Sequence, residues 1–177
     1  MRRVPRPEPP LDPADAPRAA YALALRWLSM RELAANALRK RLHMKGFDAG
    51  VIEATVDRLI ADRALDAERA VRACARTLVL VKRRGRQRAQ RELETMGFAP
   101  DLARLVLADT IGDDDEQALA NRLLVARLRG ARSIPDVAAY QRLYGALLRR
   151  GFSSAIVRAA LKPFWKRGAE VPETGAD

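Results

Sequence analysis

The stretch RKRLHMKGF, at residues 39–47, recurs in altered form as RELETMGF at residues 91–98 and as ALLRRGF at residues 146–152. Each copy ends in a Gly-Phe pair, and the glycines are separated by 51 residues and then by 54. A leucine stands four residues before each glycine, and apolar residues stand five and ten residues after it. The chain therefore carries an internal repeat with a period of about 50 residues, which is in the range of helical-repeat units.

The three Gly-Phe pairs are predicted to be joints between helices. Apolar spacings of three, four and five residues suit one face of a helix on either side of a turn, and they fit strand alternation poorly. Glycine closes a helix in the left-handed conformation at little steric cost, and the next aromatic can pack back on the last turn. Asp48, Pro100 and Ser153 follow at positions typical of a new helix start. The predicted joints are Gly46 and Phe47, Gly97 and Phe98, and Gly151 and Phe152.

Amphipathic periodicity extends through most of the chain, and no segment alternates like a strand. The predicted fold class is all-α: an elongated, curved array of three tandem three-helix repeats, in which each unit buries its apolar face partly against its neighbour. The predicted helices cover residues 18–31, 34–45, 49–60, 67–83, 86–96, 100–111, 114–129, 136–150 and 153–165. The predicted domains are a disordered Pro-rich arm (1–17), the three repeats (18–65, 66–112 and 113–165) and a flexible tail (166–177).

Several helix boundaries follow from capping chemistry. The first two helices are expected to separate within residues 29–34, where Ser29 and Glu32 have the spacing of a capping box. Asp66 and Ser133 are the expected N-cap residues of the fourth and eighth helices.

The single cysteine and the single histidine exclude two kinds of chemistry. Cys74 cannot form an internal disulfide, and it forms no familiar metal-binding spacing with His43, so neither a metal nor a cofactor is expected. Cys74 instead lies on an apolar stripe that reaches Val81, which predicts a buried packing role. The helix that carries this stripe is expected to end at Gly85.

Composition narrows the class of protein. The chain has 177 residues, 49% of them hydrophobic, and no apolar run near twenty residues, so it is expected to bury a core and not to span a membrane. Its start lacks the apolar core of a signal peptide, which favours the cytoplasm. No phosphate-binding loop, nucleophile elbow or paired catalytic residues occur, so no catalytic residue is assigned and the chain is not expected to be an enzyme.

The net charge of +11 and the pI near 10.9 point to an anionic partner, either a nucleic acid or a protein with an acidic or phosphate-bearing surface. The cations cluster near the joints, and equivalent joints of a stack tend to share one edge, so the clusters are expected to form one basic strip. Aromatic residues are sparse, which disfavours base stacking as the main binding mode. The candidate residues for binding this anionic partner are Arg39, Lys40, Arg41, Lys45, Lys82, Arg83, Arg84, Arg86, Arg88, Arg91, Arg149 and Arg150.

The order and spacing of several motifs resemble the bacterial regulatory protein family RecX, over roughly residues 18–164. The motifs that carry the resemblance are LHMKGF at 42–47, LDAERAV at 65–71, Gly85, REL at 91–93, GF at 97–98 and LRRGFS at 148–153. The resemblance implies three tandem three-helix repeats and no enzymatic activity. It also implies binding in the groove of the RecA recombinase filament on single-stranded DNA, with restraint of ATP hydrolysis, filament growth and strand exchange.

Two alternatives to this function stay open at the level of sequence. A basic helical array can bind single- or double-stranded DNA directly, without a recombinase, or it can serve as a scaffold for another acidic protein. In each case we expect a monomer without cofactor, metal or membrane contact.

Overall fold

A computed structural model describes residues 14–165, and this part of the chain contains nine α-helices and no strand. The predicted all-α fold of tandem three-helix repeats is confirmed. Residues 1–13 and 166–177, which include most of the predicted arm and the whole predicted tail, lie outside the described residues. The helices are α1 (Ala16–Met30), α2 (Ala35–Met44), α3 (Ala49–Ala61), α4 (Ala67–Arg76), α5 (Arg86–Thr95), α6 (Pro100–Thr110), α7 (Asp113–Leu128), α8 (Val137–Leu148) and α9 (Ser154–Leu161).

All three predicted joints close a helix by the same hydrogen-bond pattern. The glycines have φ angles of +85°, +94° and +92°, in the left-handed region. At the first joint, the N–H of Gly46 donates to His43 O at 2.9 Å and the N–H of Phe47 donates to Leu42 O at 3.3 Å. The other two joints repeat both bonds, so each is a Schellman motif, and each phenylalanine is buried.

The first helix differs from its predicted limits at both ends. It begins at Ala16, inside the predicted arm, because Pro17 stands in the first turn, where a missing N–H costs nothing. It ends at Met30, and α2 begins at Ala35, so the predicted break is confirmed. The predicted capping box is wrong, because Ser29 lies within α1 and its hydroxyl donates to the Arg26 carbonyl.

The fourth helix does not continue to Lys82 as an α-helix. After Arg76 the chain forms a π-helix, Thr77–Val81, whose wider turn is closed by the bond from Lys82 N–H to Thr77 O at 3.0 Å. The wider turn carries the end of the predicted stripe to the surface, since Val81 is 74% exposed. Cys74, which precedes this turn, is half-buried and not fully buried as predicted. The prediction that Gly85 ends this helix is also wrong. Arg83 takes the left-handed conformation there, with φ +53°.

Two helix boundaries in the third repeat also differ from those predicted. The N-cap of α8 is Asp136, whose carboxylate accepts from the N–H of Ala139 at 2.7 Å, and not Ser133. The last helix ends at Leu161 and is followed by a 3-10 turn over Lys162–Phe164. In that turn the Phe164 carbonyl accepts from the N–H of Ile134, which fastens the end of the described chain to the α7–α8 connector.

Of the helix starts predicted elsewhere, Asp48 stands at the N-cap of α3 without a side-chain capping bond, whereas Asp66 and Ser153 form theirs. The Asp66 carboxylate accepts from the N–H of Arg69 at 2.9 Å. The hydroxyl of Ser153 accepts from the N–H of Ile156. Pro100 is the first residue of α6.

The chain divides into two compact units, and the boundary falls inside α4, between Ala70 and Val71. In the first unit, α1 and α2 both pack on α3 around Leu38, Leu42, Val56 and Leu59, all of which are fully buried. The Tyr21 hydroxyl donates to the Asp62 carboxylate across this unit.

The second unit contains the pairs α5 with α6, α7 with α9 and α8 with α9. Its core is a set of leucines and aromatic residues with at most 2% exposure. Tyr140 packs edge-on against Trp165, with ring centroids 5.0 Å apart. The largest buried side chains of this unit are Leu78, Leu93, Leu107, Leu124, Ile134, Tyr140, Leu147, Phe152 and Leu161.

Candidate functional site

In the second unit, the joint after α8 lies against the first turn of α5, backbone to backbone. The N–H of Gly85 donates to Arg150 O at 2.8 Å, and that of Gln87 donates to Gly151 O at 3.1 Å. A Cβ atom built on Gly85 would lie 2.5 Å from the backbone of Gly151 and Phe152. Gly85 therefore serves as the N-cap of α5 and as the point of closest approach between two repeats.

This contact brings two of the predicted basic clusters together. The sequence did not indicate that a joint would contact the start of another helix. The Gly151 joint meets the start of α5, whereas the Gly97 joint lies at its other end. We call the assembled cations the joint cluster. Its members are Lys82, Arg83, Arg84, Arg86, Arg88, Arg91, Arg149 and Arg150.

Two arginines of the joint cluster hold backbone carbonyls across the contact. Arg88 Nη1 donates to Arg149 O at 2.8 Å. Arg150 Nη1 donates to Lys82 O and Arg83 O at 3.4 and 3.3 Å. These guanidinium groups therefore fasten the third repeat to the second, a structural use that sequence reasoning missed because the partners are more than 60 residues apart.

A half-buried carboxylate balances part of the positive charge. Glu92 Oε1 lies 2.8 Å from Arg88 Nε and 3.1 Å from Arg84 Nε. Burial alone would raise the pKa of Glu92, but the hydrogen bond from Arg88 and the charges of Arg84, Arg88 and Lys82 outweigh it, so the pKa is lowered. The spacing of Arg88 and Glu92, four residues apart on a helix, was a signal in the sequence for this pair.

Arg86 is also committed to the interior of the second unit. Glu116, which is only 4% exposed, accepts from the backbone N–H of Arg86 at 2.7 Å. The Arg86 guanidinium donates to the Ile111 carbonyl at 2.8 Å and lies 2.8 Å from Asp113. The acidic start of α7 thus caps the start of α5, in addition to favouring its own helix dipole. No local sequence signal indicated this contact.

Like charges crowd around Arg150. Burial lowers the pKa of Arg150, and the nearby charges of Arg127, Arg84, Arg83 and Arg88 lower it further. An anion bound near these guanidinium groups would relieve that repulsion.

Four side chains of the joint cluster are left for a partner: Lys82, Arg83, Arg91 and Arg149. All four are exposed, and none forms an ion pair within residues 14–165. Arg91 and Arg149 line one shallow cleft with Arg88, Glu92 and Thr95.

The cations of the first joint lie in the first unit. Arg39 is bidentate on Glu53, with N–O distances of 2.9 to 3.0 Å, and this bond lowers the pKa of Glu53. The guanidinium of Arg41 lies over the Trp27 ring at 5.7 Å from its centroid. Lys40 and Lys45 are exposed. One basic strip through all three joints stays a prediction.

Residues 14–165 contain neither a membrane-spanning helix nor a metal-binding group of side chains. Within that range, no helix is both long enough and apolar enough to cross a membrane. No group of three or more His, Cys, Asp or Glu side chains is arranged to hold a metal ion there.

The fold defines the class: this is a tandem three-helix-repeat protein with a basic joint between its second and third repeats. Two family models match it, the first three-helix domain of RecX over residues 20–59 and the third over residues 113–161. The chain is 32% identical to the regulatory protein RecX of Trichlorobacter lovleyi over 149 residues, which cover 82% of this chain and 95% of that protein. The chain belongs to the RecX family of regulatory proteins.

Two other relatives extend the comparison. The regulatory protein RecX of Geobacillus thermodenitrificans is 29% identical over 84% of this chain, which spans 55% of that longer protein. The crystal structure of RecX from Lactobacillus salivarius superposes with a TM-score of 0.71 at 19% identity, over 84% of this chain and 96% of that one. The second likeness concerns the fold alone.

Proposed function

We propose that this chain binds the RecA recombinase filament on single-stranded DNA and restrains its ATP hydrolysis, its extension and strand exchange. Through that restraint it would modulate recombination, DNA repair and the SOS response in the cytoplasm. It acts by binding and carries out no reaction of its own. Family membership supports the choice of partner, because the RecX resemblance implies this filament.

The observation that carries the proposal is the exposed part of the joint cluster. Lys82, Arg83, Arg91 and Arg149 are solvent-exposed, and none forms a salt bridge within the described chain. A nucleoprotein filament is a long polyanion, and several weak contacts from such cations to it add up and are screened by salt. Contacts of this kind suit a regulator that must bind along a filament without reading a base sequence.

The test is ATP hydrolysis by RecA on single-stranded DNA, titrated with the full chain. Sub-stoichiometric amounts should slow hydrolysis. The double variant Arg91→Glu and Arg149→Glu should require about tenfold more protein for the same effect, since each lost contact to a charged surface is worth about 0.5–1 kcal/mol. Arg132→Glu, an exposed reversal in the α7–α8 connector, is the matched control. An unchanged rate at low salt with the unaltered chain would refute the proposal.

Direct DNA binding without a recombinase is the second candidate, because the same four cations could contact naked phosphates. This candidate predicts tight binding to naked DNA, with the logarithm of the affinity falling steeply against the logarithm of salt concentration. From the sequence alone, charge reversal at Arg83, Arg84 and Arg86 is the expected test of this slope. It is a poor probe, because Arg84 and Arg86 contact Glu92 and Glu116. Arg91→Glu with Arg149→Glu should instead reduce the slope by about 1.4 to 1.8 for single- or double-stranded DNA.

A further inference from the structure

The second unit contains a pocket of about 510 Å³ between the π-helix, the end of α6 and α7. This volume is within the range of about 300–1,000 Å³ that is typical of binding pockets. Its inner wall is hydrocarbon, from Val79, Ile111, Leu119 and Leu123, which are 2–8% exposed. This apolar part of the lining favours an apolar side chain, whereas the larger part of the accessible lining is polar.

The π-helix shapes the mouth of this pocket. Its wide turn leaves Leu80 68% exposed at the opening, although Leu80 follows directly on buried Val79. Arg83, also at the mouth, is a non-glycine residue with φ +53°. π-Turns are frequent at functional sites, so the wide turn marks this opening. The left-handed conformation of Arg83 closes the π-helix, as those of Arg63 and Arg129 close other helices.

The charges at the mouth are unequal. Arg83 and Arg122 are exposed, and neither forms an ion pair within the described residues. Asp115 is the one carboxylate among the residues that line the pocket. The opening is therefore net positive around an apolar interior, which is complementary to a ligand with an apolar centre and acidic flanks.

The lining also discriminates between classes of ligand. No aromatic side chain lines the pocket, so it offers no platform on which a nucleic-acid base could stack. Exposed Leu80 is instead followed by exposed Val81, and contiguous exposed apolar surface marks protein-interaction sites.

We infer that this pocket binds a short segment of a partner protein in which leucine-like side chains are flanked by carboxylates. The apolar side chain enters between Val79, Ile111 and Leu123, and the carboxylates pair with Arg83 and Arg122. This inference goes beyond the proposed function, because it assigns a protein-binding site. Arg83 belongs both to this site and to the exposed part of the joint cluster, whereas Arg91 and Arg149 do not line the pocket.

The probe is a fluorescent ten-residue peptide with two central leucines and glutamates on both sides, titrated with the full chain and followed by anisotropy. Replacing its leucines by serine or its glutamates by glutamine should abolish or weaken binding. Leu80→Ser should weaken binding about tenfold, the factor that corresponds to about 1.4 kcal/mol. Leu105→Ser, which removes an equally exposed leucine (69%) from α6, should leave binding unchanged.

The charges are tested in the same assay. Arg122→Gln and Arg83→Gly should each weaken binding about threefold to fivefold. Arg129→Gly is the matched control for Arg83→Gly, because Arg129 is exposed and has nearly the same backbone conformation, with φ +50°, but does not line the pocket.

Three outcomes would overturn the inference. The first is equal affinity of the acidic peptide for the unaltered chain and for Leu80→Ser. The second is binding of single-stranded oligonucleotide that Leu80→Ser weakens, which would assign the pocket to nucleic acid. The third is self-association of the chain that Leu80→Ser abolishes, which would assign the pocket to a second copy. The peptide titration contains neither RecA nor DNA, so its result is independent of whether the chain inhibits the filament.

Discussion

Glycine stands at residues 130 and 151 for different physical reasons. Both have a left-handed φ, +88° and +92°. A Cβ on Gly130 would have open space around it, whereas a Cβ on Gly151 would lie 2.8 Å from the Cα of Arg88 and closer still to its Cβ. Residue 130 needs glycine only for the left-handed backbone conformation. Residue 151 needs it also because the second and third repeats contact each other there.

Alanine substitution separates the two requirements. Gly130→Ala should reduce the free energy of unfolding by about 1 kcal/mol, the cost of placing a Cβ in the left-handed region. Gly151→Ala should cost about 1–3 kcal/mol more, because the added methyl group collides with backbone that cannot move freely. Urea unfolding of the two variants measures the difference. Equal losses would mean that the close approach to Arg88 is not rigid.

The acid dependence of stability should depend in part on Glu92. Because its folded-state pKa is lowered, the stabilisation from ionised Glu92 is present above its unfolded pKa of about 4.3 and is lost as the pH falls through the folded value. Glu92→Gln should therefore destabilise the chain by about 0.5–1 kcal/mol at pH 7.

The same variant should match the unaltered chain at the acid end of a pH titration of the unfolding free energy. Glu94→Gln, on the same helix, lacks the two arginine contacts and serves as the control. A difference between Glu92→Gln and the unaltered chain that persists unchanged at low pH would contradict the ion-pair account.

Among the helices, α5 depends most on residues outside itself. Its N-cap, Gly85, has no side chain to offer, and its first N–H groups are satisfied by Glu116, Arg150 O and Gly151 O. The start of α5 is therefore capped by α7 and by the joint after α8.

Removal of Glu116 tests this dependence. Glu116→Ala should destabilise the second unit by about 1–3 kcal/mol, because it leaves the part-buried N–H of Arg86 without its acceptor and removes the carboxylate that lies 3.6 Å from Arg86 Nε. Asp114→Ala, an exposed change in the same turn of α7, should cost less than about 1 kcal/mol. Hydrogen exchange of the first amides of α5 should accelerate in Glu116→Ala alone. Unchanged protection there would refute the capping role.

Helix ends were predictable where their cause is local. The Schellman joints at Gly46, Gly97 and Gly151 depend on a glycine and a following apolar residue, and both are visible in the sequence. The π-turn was not predictable in this way, because the residues of Thr77–Val81 also suit an α-helix and their i to i+5 bonds leave no pattern. Ser133 was a plausible cap that lost to Asp136, since only the latter reaches the first turn of α8.

At the scale of the whole molecule, repeat periodicity predicted the all-helical architecture but not the use of each cation. The sequence indicated where basic residues cluster, yet half of the joint cluster is occupied by internal contacts: Arg84 and Arg86 with carboxylates, and Arg88 and Arg150 with carbonyls. The carbonyl partners of Arg88 and Arg150 lie more than 60 residues away in the sequence. Composition alone therefore could not show which cations form internal contacts. The cations that stay available to a partner are Lys82, Arg83, Arg91 and Arg149.

The most direct measurement of the central claim is co-sedimentation of the chain with RecA filaments assembled on single-stranded DNA, at two salt concentrations. The account predicts binding that weakens as salt rises. It also predicts that Arg91→Glu with Arg149→Glu weakens binding about tenfold relative to Arg132→Glu. Binding that is equal for both variants, or no binding at low salt, would contradict it.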